Sequence, residues 1–372
     1  MILKTALIHD WLVSLRGGER VLQAIFELYP SPIYTLLKKN EIIEEMGLQR
    51  AYVQTSFIQQ LPFSVKSYRN YFPLFPMAIE RFDLSPYDLI LSSSHSVAKG
   101  IKKRKDQLHI CYCHSPMRYA WDLYDQYIES VQGLKRVGAT LGLKHMRKWD
   151  LKVTDRVDHF IANSQFVRQR IKRVYGRDSS VIYPPVATHL MHLKQKENFY
   201  LTVSHLVPYK RVDLIVEAFS YLPHLHLVVV GDGPEWKKIK AKSGKNVELL
   251  KYQTDDVVRE LLSRAKGFVF AAEEDFGIAP VEAQGSGTPV IAYRKGGVLE
   301  TVVEGKTGMF FEEQTVESLV GALQRFEKME FDPVLIKAHA EQFGKEQFCQ
   351  KFQAFVANKW EAFCENSYSS RR

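Results

Sequence analysis

Two carboxylates eight residues apart are the strongest chemical feature of this sequence. Glu274 follows an apolar strand pattern at 267–272, and Glu282 lies on the first turns of the helix that comes next. The carboxyl ends of parallel strands are where open α/β sheets bind nucleotides. Unpaired N–H groups at a helix start suit a diphosphate. We therefore expect both acids to contact one ligand, with the helix start formed by Gly277, Ile278 and Ala279. The structural alternative is a solvated helix start, whose acids stabilise the helix dipole.

A histidine and two glycines are the matching candidates in the first half. His114 ends the apolar strand pattern at 108–113, just before a Ser-Pro turn, so we expect its imidazole at the carboxyl end of a sheet. Gly17 and Gly18 lie between the first strand and the first helix, where glycines allow backbone N–H groups to approach a phosphate or a sugar. Taken alone, a single histidine or a Gly-Gly pair is more often structural. His109 and the run 92–96 are interpreted as structural, the run as a polar loop between a strand and a helix.

The strings around these residues resemble the retaining family-four glycosyltransferases. Their E-x7-E signature is present within Glu-Asp-Phe-Gly-x-x-Pro-x-Glu-Ala at 274–283. It is followed in the family's order by Gly-Thr-Pro-Val-Ile-Ala at 287–292 and by Gly-Gly-x-x-Glu at 296–300. The first half, from Leu-Ser-Pro-Tyr-Asp at 84–88 to Asp122, looks like the subgroup that builds bacterial surface polysaccharides, commonly with mannose.

The resemblance assigns roles to individual residues. Glu274 would contact hydroxyls of the donor sugar, and Glu282 would contact the ribose of the nucleotide. His114 would contact the donor sugar, and Lys210 would contact the diphosphate. The family's second phosphate-binding position, usually an Arg, holds His205 here, and Arg211 is the residue that could compensate for it. The loop with Gly17 and Gly18 would close over the donor phosphates and the acceptor. The plausible acceptor contacts are Arg118, Tyr119, Trp121 and Asp122, with an aromatic cluster that holds a loop as the equal alternative.

Strand and helix patterns alternate through both halves, which predicts an α/β protein with parallel sheets covered on both faces. The prolines at 184 and 185 indicate a stiff connector between two domains. The resemblance implies the GT-B fold, in which two doubly wound Rossmann-like domains face a cleft. We expect an acceptor-binding domain at 1–183, a domain that binds the nucleotide-sugar at 187–345, and a helix at 346–372 that returns to the first domain.

Charge and cysteine content indicate the class of partner and the cellular compartment. The net charge is +9. Residues 1–186 hold 27 Lys/Arg and 17 Asp/Glu, a balance of +10, whereas 187–372 hold 24 and 25, a balance of −1. This bias suits an anionic surface. The basic residues concentrate at 102–105 and along 135–152. Four cysteines without a metal-ligand spacing favour reduced thiols in the cytoplasm. No apolar run reaches membrane-spanning length, and the start lacks the form of a signal peptide.

Together these features predict a retaining glycosyltransferase that needs no metal or other cofactor and moves a hexose onto a saccharide acceptor. The expected donor is GDP-mannose, and the expected acceptor is lipid-linked or of the lipopolysaccharide type, at the inner face of the cytoplasmic membrane. No Asp-x-Asp metal motif lies in a suitable loop. The alternatives are a UDP-sugar enzyme with another acceptor and a nucleotide-sugar 2-epimerase of the same fold. Nucleic acid is not an expected partner, because no recognised module accompanies the charge.

Overall fold

The computed structural model describes residues 3–122, 124–129 and 133–369. Its backbone divides into two units, Met1–Pro184 with Phe348–Arg372 and Pro185–Gln347. The division falls between the two prolines of the connector. Each unit contains one parallel sheet with helices, so the predicted class of two Rossmann-like α/β domains is confirmed.

Unit 1 is built on a seven-stranded parallel sheet in the order β3-β2-β1-β4-β5-β6-β7. The strands are β1 (Thr5–His9), β2 (Ile33–Thr35), β3 (Val53–Thr55), β4 (Leu89–Ser94), β5 (Leu108–Cys113), β6 (His159–Ala162) and β7 (Ser179–Val181). Strand order reverses between β1 and β4, where His9 lies opposite Ser93. Ligands of open α/β sheets bind outside the carboxyl ends of the strands at such a point.

The helices of unit 1 cover both faces of this sheet with amphipathic patterns. They are α1 (Gly17–Leu28), α2 (Asn40–Glu45), α3 (Ser64–Ser67), α4 (Phe75–Ile79), α5 (Tyr124–Glu129), α6 (Leu134–Val153) and α7 (Gln165–Tyr175). The helix α15 (Lys345–Ser369) also belongs to this unit from Phe348 onwards. Its residues Phe348, Phe352 and Val356 are buried in the same cluster as Tyr112 of β5. Burial of apolar side chains at helical spacing is what docks this helix.

Unit 2 repeats the pattern with six parallel strands in the order β10-β9-β8-β11-β12-β13. They are β8 (Glu197–Val203), β9 (Leu227–Val230), β10 (Val247–Leu250), β11 (Ala265–Phe270), β12 (Val290–Tyr293) and β13 (Gly308–Phe311). The helices are α8 (Val212–Ser220), α9 (Trp236–Lys242), α10 (Asp255–Arg264), α11 (Ile278–Gly285), α12 (Val298–Thr301), α13 (Val316–Phe326) and α14 (Pro333–Ala340). Here the strand order reverses between β8 and β11.

One local interpretation from the sequence was wrong. The run 92–96 was expected to be a loop, yet Ser92, Ser93 and Ser94 are the buried end of β4. A polar side chain is tolerated inside a sheet when it is hydrogen-bonded. Ser92 Oγ lies 2.8 Å from Nε2 of His109, and Ser93 Oγ lies 2.8 Å from Nε2 of His114.

Candidate active site

Lys210 and Glu274 meet at the point in unit 2 where strand order reverses. Lys210 lies at the end of a 3₁₀ turn after β8, and Glu274 lies in the loop after β11. Their ammonium and carboxylate groups form an ion pair, and each side chain is 19% exposed. Two opposite charges are thus held together while still open to solvent. A ligand could therefore contact both groups without large rearrangement.

Two glycines allow the Glu274 backbone to lie where it does. Gly297 donates its N–H to the Glu274 carbonyl oxygen at 2.8 Å. A Cβ on Gly296 would lie 2.5 Å from that same oxygen, and Gly296 has φ +87°, a value that favours glycine. The predicted Gly-Gly pair at 296–297 thus has a mechanical role, since it supports the loop that carries Glu274.

The start of α11 follows that loop. Gly277 precedes the helix with φ +88°, so Ile278 and Ala279 form its first turn. The first N–H groups of a helix have no partner within the helix and are available to an anion. Glu282 lies one turn further along α11 and is partly buried. The structure therefore groups Glu274, Lys210 and the start of α11 at the carboxyl ends of β8 and β11, as the sequence predicts.

The two residues at the altered phosphate position have different surroundings. His205 is exposed, and its Nδ1 lies 2.7 Å from the Asp232 carbonyl oxygen, so Nδ1 carries the proton. Arg211 adopts φ +52° at the start of α8. Its guanidinium lies 3.4 Å from the side-chain oxygen of Gln314 and 3.7 Å from the carboxylate of Asp213. Arg211 therefore already has acceptors within its own unit.

In unit 1, His114 lies directly after β5. Its Nε2 is 2.8 Å from Ser93 Oγ. A Cβ on Gly18 would lie 3.6 Å from that nitrogen, so the start of α1 packs against the imidazole. Gly17 and Gly18 are the first residues of α1 rather than a separate loop. Burial lowers the pKa of His114 to about 3, with His95 and His9 adding to this effect, so the ring is neutral near pH 7.

Two further titratable residues near His114, His9 and Glu19, were missed by the sequence reasoning. His9 is fully buried, with Nδ1 3.2 Å from Ser93 Oγ and Nε2 3.8 Å from the carboxylate of Glu19. Burial raises the pKa of Glu19, but its contacts with His9 outweigh burial and leave the pKa below its usual value. The available signal was position, since His9 ends β1 and Glu19 closely follows the glycine pair.

Asp10 fixes the loop after β4. This fully buried carboxylate accepts N–H groups from His95, Ser96, Val97 and Ala98 at 2.6 to 3.0 Å. Burial raises its pKa, but nearby His95 and His9 and these backbone donors hold the net value below the usual one. Asp10 thus satisfies four backbone N–H groups of this loop, and Ser94 Oγ accepts the N–H of Lys99. Among residues 3–122, 124–129 and 133–369, no group of His, Cys, Asp and Glu has an arrangement that could hold a metal ion.

The acceptor candidates have contacts within unit 1. Tyr119 Oη lies 2.5 Å from Ser96 Oγ, and Trp121 donates to the Asp150 carboxylate at 2.9 Å. Asp122 pairs with Arg170 and with Arg173. These contacts agree with a cluster that holds the loop after β5. Arg118 is partly buried in the same segment. The acceptor role of Arg118, Tyr119, Trp121 and Asp122 stays a prediction.

Comparison with known families gives one match in each half. The family described as Glycosyltransferase Family 4 matches residues 38–190, and Glycosyl transferases group 1 matches residues 191–347. The chain is 29% identical over 258 residues to N-acetyl-alpha-D-glucosaminyl L-malate synthase from Bacillus anthracis, covering 62% of this chain and 67% of that protein. It is 22% identical over 272 residues to alpha-1,3/1,6-mannosyltransferase alg2 from Schizosaccharomyces pombe, covering 60% and 52%. The chain thus spans between about half and two thirds of the length of such curated relatives.

A solved structure shows the same fold. Anabaena Alr3699/HepE, crystallised with UDP-glucose, matches with a TM-score of 0.70 and 18% identity. The match covers 95% of this chain and 99% of the other. The two-domain α/β architecture is therefore the one found in glycosyltransferases of the GT-B type.

Proposed function

We propose that this chain, whose residues 38–190 and 191–347 belong to the glycosyltransferase family 4 and glycosyl transferases group 1 families, is a retaining enzyme that transfers a hexose from a nucleotide-sugar. One observation supports this above the others. Lys210 and Glu274 are paired beside the start of α11, where the strand order of unit 2 reverses. A cation and helix N–H groups suit a diphosphate, and a carboxylate suits sugar hydroxyls.

The proposed chemistry depends on stabilising charge. Negative charge grows on the leaving diphosphate as the glycosidic bond breaks, and Lys210 together with the N–H groups of Ile278 and Ala279 would stabilise it. Glu274 would then hold the donor sugar, with Glu282 on the ribose. The acceptor hydroxyl would attack from the face of the leaving group, and the departing phosphate would take its proton. His114 keeps the role that the resemblance implies, a contact to the donor sugar.

No metal or other cofactor enters this proposal. Lys210 and the start of α11 supply the positive charge that a divalent cation would otherwise bring to a diphosphate. Transfer should therefore continue at nearly its full rate in EDTA. Complete loss of transfer in EDTA, with recovery on adding Mn²⁺ or Mg²⁺, would contradict the metal-free mechanism.

GDP-mannose is the proposed donor, and a lipid-linked or lipopolysaccharide-type saccharide is the proposed acceptor. The string at 84–122 supports this choice, as does the similarity to the alg2 mannosyltransferase. The basic balance of the first half supports work at the inner face of the cytoplasmic membrane. No described helix is long and apolar enough to cross a bilayer. A peripheral association is therefore what we propose.

A UDP-sugar is the alternative donor, favoured by the similarity to a structure crystallised with UDP-glucose. Thermal unfolding with GDP, UDP and ADP separates the two. A nucleotide at about one hundred times its Kd raises stability by roughly 2.7 kcal/mol, and one that does not bind leaves it unchanged. Stabilisation by UDP and not by GDP would contradict GDP-mannose as the donor and support a UDP-sugar instead. An epimerase would invert C2 of the nucleotide-sugar without any saccharide acceptor, so release of free nucleotide only when the acceptor is present would exclude it.

A further inference from the structure

Four side chains of unit 1 form a continuous line that ends at His114. The carboxylate of Glu19 lies 3.8 Å from Nε2 of His9, and Nδ1 of His9 lies 3.2 Å from Ser93 Oγ. Ser93 Oγ lies 2.8 Å from Nε2 of His114. The other carboxylate oxygen of Glu19 accepts the backbone N–H of Arg16 at 3.0 Å. We call Glu19, His9, Ser93 and His114 the tautomer network.

Glu19, at one end of the tautomer network, determines which atom donates and which accepts in the contacts that follow. An ionised carboxylate only accepts, so a neutral His9 facing it is most stable with its proton on Nε2. Its Nδ1 is then an acceptor for the hydroxyl proton of Ser93. Ser93 Oγ thus donates its one hydrogen bond to His9 and accepts a hydrogen bond from Nε2–H of His114. Each of the two contacts of Ser93 Oγ then has one donor and one acceptor, whereas the Glu19 carboxylate acts on His9 Nε2 electrostatically across 3.8 Å.

The ionisation states needed for this direction agree with the surroundings. Burial raises the pKa of Glu19, but neighbouring His9 and His95 and a backbone hydrogen bond together hold this pKa below its usual value. The pKa of His114 falls to about 3 through burial and its histidine neighbours. This direction also requires a neutral His9, whose side chain is fully buried. A charged His9 would donate from both nitrogens and would reverse the direction at Ser93.

We propose that Glu19, His9 and Ser93 act as positioning residues that hold His114 as the Nε2–H tautomer, leaving its Nδ1 as a hydrogen-bond acceptor. Within the described ranges, Nε2 is the only ring nitrogen of His114 with a hydrogen-bond partner. An imidazole nitrogen without a proton accepts a hydrogen bond from a hydroxyl and cannot donate one to an ether oxygen. The preferred ligand group is therefore a sugar hydroxyl, and this last step rests on the proposed function. The tautomer itself does not.

The tautomer can be measured directly in the full chain without substrate. Protein labelled with ¹⁵N-histidine gives long-range ¹H–¹⁵N spectra that distinguish the two neutral tautomers, and His114→Gln identifies the His114 signals. The wild type should show the Nε2–H form of His114. Ser93→Ala removes the hydroxyl, and Glu19→Gln replaces an acceptor with an amide that both donates and accepts. Each variant should give a mixture of tautomers.

The neighbouring residue of β4 supplies a matched control. Ser92 Oγ makes the same 2.8 Å contact with Nε2 of His109, another buried histidine of β5. Ser92→Ala should therefore change the signals of His109 and leave those of His114 as they are. Thermal unfolding of all three variants confirms that they are folded. An Nδ1–H form of His114 in the wild type, or an unchanged Nε2–H form in both Ser93→Ala and Glu19→Gln, would overturn the proposal.

Activity measurements separate this proposal from the proposed function. Ser93→Ala and Glu19→Gln should lower turnover of the nucleotide-sugar by roughly ten- to a hundredfold, the size expected for one hydrogen bond in a site. Binding of the free nucleotide, which lacks the sugar, should stay the same. A wild type that shows the Nε2–H form but transfers no sugar would refute the proposed function and the sugar contact while leaving the network intact. Normal turnover in both variants would refute the positioning role.

Discussion

At the scale of single residues, the ion pair between Lys210 and Glu274 gives the sharpest prediction. Lys210→Ala and Glu274→Gln should each abolish transfer, because each removes a charged donor contact from a loop. The fold should persist, since neither side chain is in a core. We expect transfer to fall by more than about a hundredfold. The melting temperature, measured in parallel, checks that the fold persists.

Another lysine–glutamate pair of unit 2 provides the control for that loss. Lys266 and Glu327 lie 2.7 Å apart and are exposed to a similar degree, at 33% and 29%. Lys266 is at the amino end of β11, the opposite end of the strand from Glu274. Lys266→Ala should therefore leave transfer unchanged. An equal loss in Lys266→Ala and Lys210→Ala would show that loss of an ion pair, rather than loss of a donor contact, causes the defect.

Glu282 gives a prediction about binding rather than turnover. Glu282→Ala should weaken nucleotide binding by roughly ten- to a hundredfold, since a hydrogen bond to a charged group contributes about 1.5 to 3 kcal/mol. Calorimetric titration with GDP and UDP measures this. Glu317→Ala changes an exposed acid in the first turn of α13 and should have no effect. Unchanged affinity in Glu282→Ala for both nucleotides would remove its assignment to the ribose.

Site residues could be predicted from the sequence where one short segment contains them. Glu274 and the start of α11 lie in one continuous string, so spacing alone brings them together. The tautomer network could not be found in this way, because Ser93 lies 84 residues from His9 and becomes its neighbour only through the register of β1 and β4. A single sequence does not contain that register. For the same reason Asp10, whose four N–H donors come from 95–98, was missed.

At the scale of elements, some strands were recognisable as apolar patterns in the sequence, whereas the edge strands β3 and β7 were not. The apolar strand patterns at 108–113 and 267–272 correspond to β5 and β11. The edge strands β3 and β7 have three residues each and partly exposed side chains, so they show no apolar run. The serines at the end of β4 looked like a loop because their partners, His109 and His114, come from β5 and from the loop after it.

The histidines of β5 and its following loop predict how acid affects stability. Burial lowers the pKa of His109 to about 4 and, with neighbouring histidines, that of His114 to about 3. As pH falls below the usual value near 6.5, these groups take up protons only in the unfolded chain. The free energy of unfolding should therefore decrease by about 1.4 kcal/mol per pH unit for each histidine, down towards its folded pKa.

Urea unfolding between about pH 7 and pH 5 measures this effect before carboxylates titrate. His109→Gln should make the decrease with falling pH shallower by the contribution of one proton. His224→Gln changes an exposed histidine of unit 2 and should leave the slope as it is. If His109→Gln and the wild type have the same slope, the buried neutral state of His109 is not what links stability to pH.

At the scale of the whole molecule, the basic excess of the first half has two different environments. In the cluster at 102–105, Lys102 pairs with Glu80, Lys103 with Asp158 and Arg104 with Asp106. Helix α6 differs, since its lysines at 144, 148 and 152 are exposed and have no ion pair with any described residue. The charge that remains for a partner is therefore concentrated on α6.

The exposed face of α6 also has apolar side chains. Val137 and Leu141 are 58% and 63% exposed, and they lie on the same side of the helix as Lys144 and Lys148. Val153 is buried, and Trp149 donates to the carboxylate of Glu80 at 2.9 Å, so both belong to the packed side. An apolar and cationic face is typical of helices that lie in a membrane interface. The structure does not describe the side chains of Leu134 and Lys135, at the start of this helix.

The contacts of each basic residue of α6 determine whether its replacement can test membrane binding. Arg147 donates to the Ala120 carbonyl oxygen and lies 4.2 Å from the ring centre of Tyr124, so its replacement would disturb packing. Lys144, Lys148 and Lys152 are spaced four residues apart and are free of such contacts in the described structure. Their replacement should change the charge of the face without changing the fold.

We predict that Lys144→Glu, Lys148→Glu and Lys152→Glu together release the protein from anionic liposomes. Each basic residue near such a surface contributes about 1 kcal/mol, so three of them change the bound fraction strongly. The matched control changes Lys237, Lys240 and Lys245 of unit 2 to Glu, with the same change in net charge. Sedimentation with liposomes should then separate the two triple variants, and transfer to a lipid-linked acceptor should slow only in the first. Equal binding by the wild type and the α6 variant would show that this helix does not bind the membrane, whereas equal release of both triple variants would show that net charge alone controls binding.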